Sequence, residues 1–119
     1  KNDWEVVHDA MVSVVHGKRG TARRVGEDSA YQIAGKSGTA QVVAIKQGEK
    51  YDSEKLHERH RDHALFVAYA PAEEPQIAVA VLVENGESGS SVAAPVAKAV
   101  LDAWLLDKLD LQDVEQEVE

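Results

Sequence analysis

The chain contains no cysteine among its 119 residues, which removes disulfides, thiolate metal sites and thiol nucleophiles and leaves the redox compartment open. No apolar run approaches the roughly 18 residues of a membrane span. No signal-peptide pattern is visible either. Positive charge is scarce: 13 Lys and Arg stand against 21 Asp and Glu, for a formal net charge of -8. The broad basic footprint of a nucleic-acid or anionic-lipid binder is therefore absent, and no nucleic-acid partner is expected. What is present, 44% hydrophobic and 29% charged residues, suits a single globular domain at most. The chain starts at Lys1, inside a helix-start signal, so it reads as a piece of a longer protein, with any targeting segment upstream.

Asn2 followed by Glu5 has the form of a capping box, and Trp4, Val7, Met11, Val14 and Val15 recur at helical spacing up to Gly17, predicting an amphipathic helix over 3–16. Residues 17–29 read as a surface connection. Residues 31–45 alternate as one long strand, with Ile33, Ser37, Thr39, Gln41, Val43 and Ile45 on one side and Ala34, Lys36, Gly38, Ala40, Val42 and Ala44 on the other. Residues 46–62 read as a solvated loop with a short helix around 53–60. Two apolar strands, 63–70 and 76–84, joined through Pro71-Ala72-Glu73-Glu74-Pro75, predict a hairpin buried on both faces. A Gly/Ser loop follows. Ser91 is the expected N-cap of a final helix whose stripe of Val96, Val100, Ala103 and Trp104 covers the sheet. Trp4 and Trp104 are expected in the core. Beyond Leu106, six acidic residues face one base, Lys108, so residues 107–119 are expected to be a disordered acidic tail. The fold class is α+β: an antiparallel sheet flanked by helices over residues 1–106.

The distinctive stretch is Lys36-Ser37-Gly38-Thr39-Ala40. A strand interior avoids glycine unless another backbone or a ligand must come close. Gly35-Lys36-Ser37 is not the end of a phosphate-binding loop, because the earlier glycine is replaced by Ala30 and the residues after Thr39 continue a strand. Alternation puts the hydroxyls of Ser37 and Thr39 on one side and Lys36 beside Gly38 on the other, an arrangement suited to a carboxylate ligand. On an unpaired edge, Gly38 would let a substrate backbone lie flush, and the Thr39 N–H could meet a developing oxyanion.

Lys36-Ser37-Gly38-Thr39 resembles the K-[ST]-G element of the penicillin-recognising acyl-serine enzymes. The resemblance extends through Gly20-Thr21-Ala22, Ile33-Ala34-Gly35, Ala40-Gln41-Val42, Arg61-Asp62-His63-Ala64-Leu65-Phe66, Tyr69-Ala70-Pro71, Pro75-Gln76-Ile77-Ala78-Val79-Ala80 and Glu84-Asn85-Gly86. In this order the residues are similar to the C-terminal part of the elongation-specific class B transpeptidases, over all but the acidic tail. The resemblance implies the C-terminal half of a β-lactamase-like transpeptidase domain. It implies peptidoglycan cross-linking through an acyl-serine intermediate, inhibited by β-lactams, at the periplasmic face of the inner membrane. It implies no cofactor and no metal. The partners it implies are a peptidoglycan stem peptide, β-lactam antibiotics, the remainder of the same domain and membrane proteins of the elongation complex. Carried over by position, Lys36 and Thr39 are catalytic, Lys36 in the proton relay and local positive field and Thr39 through its N–H. Ser37, Gly38 and Thr39 bind substrate. The chain departs from a complete enzyme: no serine is followed three residues later by lysine, and no Ser-x-Asn occurs, so the nucleophile is expected outside it.

The alternatives are a serine β-lactamase or D,D-carboxypeptidase, and a non-catalytic penicillin-recognising sensor. His57, His60 and His63 have a spacing that suggests a metal site, but their charged neighbours favour a solvated loop. His8 and His16 receive no role. The 85–91 loop reads as a plain connection, since Glu84 and Glu87 would repel an anion at the following helix.

Overall fold

A computed structural model describes residues 2–42 and 58–106. The first helix, α1, runs Asp3–His16, with the Asn2 side chain accepting from the Glu5 N–H at 2.9 Å and the Gly17 N–H closing the last turn on the Ser13 carbonyl. The start and stop signals are both where the sequence puts them. A short helix α2, Arg23–Gly26, lies inside the segment expected as a plain connection. Ala22 brings the chain back, buried and donating to the Val14 carbonyl at 3.0 Å. At Gly20 even a methyl would sit 2.3 Å from that carbonyl, so only glycine passes there.

Three antiparallel strands follow: β1 Ala34–Ala40, β2 His63–Ala70 and β3 Ile77–Val83, in the spatial order β1-β2-β3. β2 has the expected bounds, and β3 is one residue shorter at each end. β1 is much shorter than the expected 31–45, because a strand lasts only as long as its partner's ladder. Its pairing with β2 begins at Ala34↔Tyr69 and ends at Ala40↔His63. Before it the backbone is diverted, with the Ile33 N–H donating to His16 Nε2 at 2.8 Å. Residues 43–45 of the expected strand, residues 53–57 of the expected short helix and the acidic tail lie outside the described residues. Glu58–His60 form one 3-10 turn.

Among the described residues the two sheet faces are covered unequally. Ala64, Phe66, Ala68 and Ala70 of β2 are buried, whereas Val67 and, on β3, Leu82 are exposed at 45% and 56%. One face carries the core; the other is exposed at Val67 and Leu82, while at its far end Ala34 is buried and Tyr69 meets α1 through His8. The cover is a single-turn π-helix, Gly89–Ala93, running into α3, Ala94–Leu105. Its cap is Ser88, whose Oγ accepts from the Ser91 N–H at 3.2 Å, rather than Ser91 itself.

The phase of α3 also differs from expectation. Ala93, Ala94, Ala97 and Leu101 are buried, while Val96, Val100 and Trp104 are exposed, as is Trp4 on α1. Small residues let the helix backbone approach the sheet closely, so the buried seam is alanine and the bulky valines are left outside. Large apolar residues gave the wrong stripe. Leu101, Ile33, Val15 and Phe66 are the largest fully buried side chains.

His16 connects α1 to the entry of β1. Desolvation lowers its pKa from the ordinary 6.5, against an opposing pull from Glu73, and the Ile33 N–H requires Nε2 as an acceptor. Above the ordinary value both folded and unfolded chains are neutral and this contribution is complete. As pH falls through it, the unfolded chain binds a proton that the folded chain resists, and stability is lost. His16→Gln in the complete protein is expected to flatten the fall in the urea midpoint between about pH 7 and 5; an unchanged slope would contradict this.

Candidate active site on the edge strand

β1 is an edge strand among the described residues, with β2 on one side only. An edge strand leaves alternate backbone groups unpaired. Residues directly opposite across a ladder share a face. Ser37↔Phe66 and Thr39↔Ala64 therefore put the two hydroxyl residues on the core side, while Lys36↔Val67 and Gly38↔Leu65 share the open face. The expected alternation holds. What the sequence left open is which side is uncovered, and it is the side of Lys36 and Gly38. Thr39 is nevertheless exposed and Ser37 half-buried, because each sits at the sheet margin.

Lys36 is exposed, and its ammonium donates to the neighbouring Ser37 carbonyl. The cation thus folds back along its own strand beside the open face. The two glycines of the segment have different causes. A methyl on Gly35 would lie 2.7 and 2.9 Å from Phe66 ring carbons, so its absence is a packing requirement. On Gly38 the same methyl would meet only Leu65, at 3.4 and 3.8 Å, ordinary contact distances. Internal packing does not demand glycine at 38, and its effect is to leave bare backbone on the open face beside Lys36.

Residues that sequence reasoning missed gather at the end of β1. The Asn85 N–H donates to His63 Nδ1 at 2.9 Å, and the Asn85 side-chain amide donates to the Arg61 and Arg59 carbonyls at 2.7 and 3.1 Å. The Glu87 N–H donates to the Asp62 carbonyl at 2.8 Å, and Arg61 pairs with the Glu87 carboxylate at 3.5 Å. The Asn85-Gly86 dipeptide was the available signal, since asparagine tolerates the left-handed backbone, φ 54°, found at position 85. His63 is thus a hydrogen-bond acceptor here. Among the described residues no group of metal-ligating side chains converges, and His57 lies outside them.

A second cluster ties α3 to the entry of β1. Tyr31 Oη donates to Asp102 Oδ1 at 2.5 Å, and Lys98 Nζ donates to both carboxylate oxygens at 2.6 and 2.7 Å. Burial, then the hydrogen bond and charge of Asp102, push the Tyr31 phenol up. Burial works to raise the Asp102 carboxyl, but the hydrogen bonds from Lys98 and Tyr31 and the Lys98 charge outweigh it and hold the carboxyl below its ordinary value. His8, on α1, meets Tyr69 Oη at 2.6 Å with the rings stacked.

The family described as penicillin-binding protein transpeptidase domain matches residues 1–102. Peptidoglycan D,D-transpeptidase MrdA of Acinetobacter baumannii is 50% identical over 106 residues, covering 89% of this chain and 15% of that protein. The chain therefore spans less than a fifth of the length of this curated relative. Among solved structures, penicillin-binding protein 2 of Pseudomonas aeruginosa in complex with WCK 5153 superposes with a TM-score of 0.72 at 63% identity, over 88% of this chain and 20% of that one. The penicillin G acyl-enzyme of penicillin-binding protein A from Mycobacterium tuberculosis gives 0.56 at 33% identity, over 85% and 20%. The family match takes in β1 with its Lys-Ser-Gly-Thr run, the hairpin and most of α3. The chain belongs to the penicillin-binding protein transpeptidase domain family.

Proposed function

We propose that the complete protein is a peptidoglycan D,D-transpeptidase that cross-links stem peptides during cell elongation and is acylated by β-lactams. The observation that carries this reading is the edge strand on which Lys36, Ser37 and Thr39 surround a glycine that packing does not require. In this reading a serine from the remainder of the domain attacks the carbonyl of a D-Ala-D-Ala bond. The bond to the terminal D-Ala breaks, and that D-Ala leaves as an amine carrying the transferred proton. An amine of a neighbouring stem peptide then attacks the acyl-serine ester, restoring the hydroxyl and forming the cross-link.

Lys36 contributes a cation beside the nucleophile, easing proton transfer and favouring charge that develops there. Ser37 and Thr39 hold the substrate or drug carboxylate through their hydroxyls. Gly38 admits the substrate backbone, and the Thr39 N–H is one of two oxyanion donors. The open sheet face with Val67 and Leu82 is where the remainder of the domain packs, carrying the nucleophile against Lys36. The whole protein works at the periplasmic face of the inner membrane, held by a segment outside this chain, alongside membrane proteins of the elongation complex.

The complete protein is expected to be labelled covalently by a fluorescent penicillin and to release the label slowly, whereas this chain alone stays unlabelled. Labelling of the isolated chain would overturn the assignment of the nucleophile to another segment. Rapid release of hydrolysed drug would point to a β-lactamase instead, and stable labelling without cross-linking of stem peptides would point to a sensor.

A further inference from the structure

The 85–89 loop does more than join β3 to α3. At Gly89 its backbone presses onto the ladder pair Gly38↔Leu65: a Cβ there would lie 2.3 Å from the Leu65 carbonyl oxygen, 2.7 Å from the Gly38 carbonyl oxygen and 3.0 Å from the Gly38 nitrogen. Real Cβ atoms do not approach backbone so closely, so a side chain at 89 must displace either the loop or the strand. The rest of the loop is fixed in place from the other end. Asn85 holds the 59–63 segment through three hydrogen bonds, to His63 Nδ1 and the Arg61 and Arg59 carbonyls. Glu87, also at positive φ, 67°, donates its N–H to the Asp62 carbonyl. The Asp62 carboxylate in turn accepts from the Val42 N–H at 3.3 Å, just past the end of β1. The strand end is thus held from β2, from beyond its own terminus and from the face that Gly89 occupies.

We propose that Asn85 and Gly89 are positioning residues for the acyl-transfer site: their loop sets where the Gly38 backbone lies and therefore where the Thr39 N–H points. The inference rests on the reading of that N–H as an oxyanion donor. Neither residue touches substrate. Both act through the backbone of β1, where a displacement of about 1 Å is enough to cost roughly a hundredfold in rate.

The test uses the complete protein carrying Gly89→Ala or Asn85→Gly, the latter keeping the left-handed backbone while losing the side-chain amide. Penicillin acylation is resolved into the dissociation constant of the initial complex and the rate of the bond-forming step, and hydrogen exchange is followed in a peptide covering 36–41. Gly89→Ala is expected to slow the bond-forming step about a hundredfold and Asn85→Gly about tenfold, each with a dissociation constant within about twofold of the parent. Both should raise deuterium uptake at 36–41. A loss confined to the dissociation constant, or parental uptake at 36–41 in a folded variant, would overturn the proposal. Should Gly89→Ala fail to fold, Asn85→Gly decides through both readouts. Failure of the unsubstituted protein to react with penicillin would instead overturn the functional reading, and the exchange measurement would still decide whether the loop braces the strand.

Discussion

Lys36→Ala in the complete protein is expected to lower the second-order rate of penicillin acylation by about a hundredfold or more, with the melting temperature unchanged. The two halves of this expectation have separate causes. Lys36 is exposed on the edge strand, and its one described hydrogen bond goes to the adjacent Ser37 carbonyl. Substitution of such a residue typically alters stability by no more than about 0.5 kcal/mol. Catalysis is different, because removing a preorganised charge or donor from a site where charge develops typically costs about a hundred- to a thousandfold. Lys36→Arg should not restore the rate, since a planar guanidinium neither occupies the ammonium's place nor exchanges protons at working pH. Stopped-flow acylation of the two variants beside the parent checks both statements. Parental rates in Lys36→Ala would show that the site is misplaced.

Phe66→Ala is expected to destabilise the complete domain by about 3–5 kcal/mol, the usual cost of deleting a fully buried phenylalanine. Phe66 is 1% exposed at the middle of the central strand, and it is opposite Ser37 in the ladder. Its ring also fills the space that Gly35 leaves on the neighbouring strand. Removing it opens a cavity under the strand that carries Lys36. Acylation should therefore fall as well as stability, while Leu101→Ala, buried farther along the helix side of the same core, should lower stability with less effect on acylation. Urea unfolding and penicillin labelling of the same samples separate the two. A loss below about 1 kcal/mol for Phe66→Ala would mean that the core collapses around the gap.

Local signals in this chain were reliable where a residue acts on its own neighbours. Asn2 and Gly17 bound α1 as their capping chemistry requires, and Pro71 to Pro75 break the hairpin between β2 and β3. The Lys-Ser-Gly-Thr run could be picked out because a cation, hydroxyls and glycine are poor choices for an ordinary strand interior. Signals failed where the outcome depends on what packs opposite. The valines of α3 looked like a buried stripe, yet alanines line the sheet because close approach favours small side chains. The second face of the apolar hairpin is exposed at Val67 and Leu82 among the described residues.

By itself the sequence determined the α+β class, the positions of β2 and α1, and the alternation that separates Ser37 and Thr39 from Lys36 and Gly38. Each of these follows from short-range rules of capping, turn chemistry and the two-residue period of a strand. Only the tertiary structure decided which side of β1 is open, that Gly35 is required by the Phe66 ring whereas Gly38 is not, and that Asn85 and Gly89 bear on the strand end. Positions 38 and 89 are 51 residues apart in the chain, and no periodicity records a contact made by folding one segment onto another.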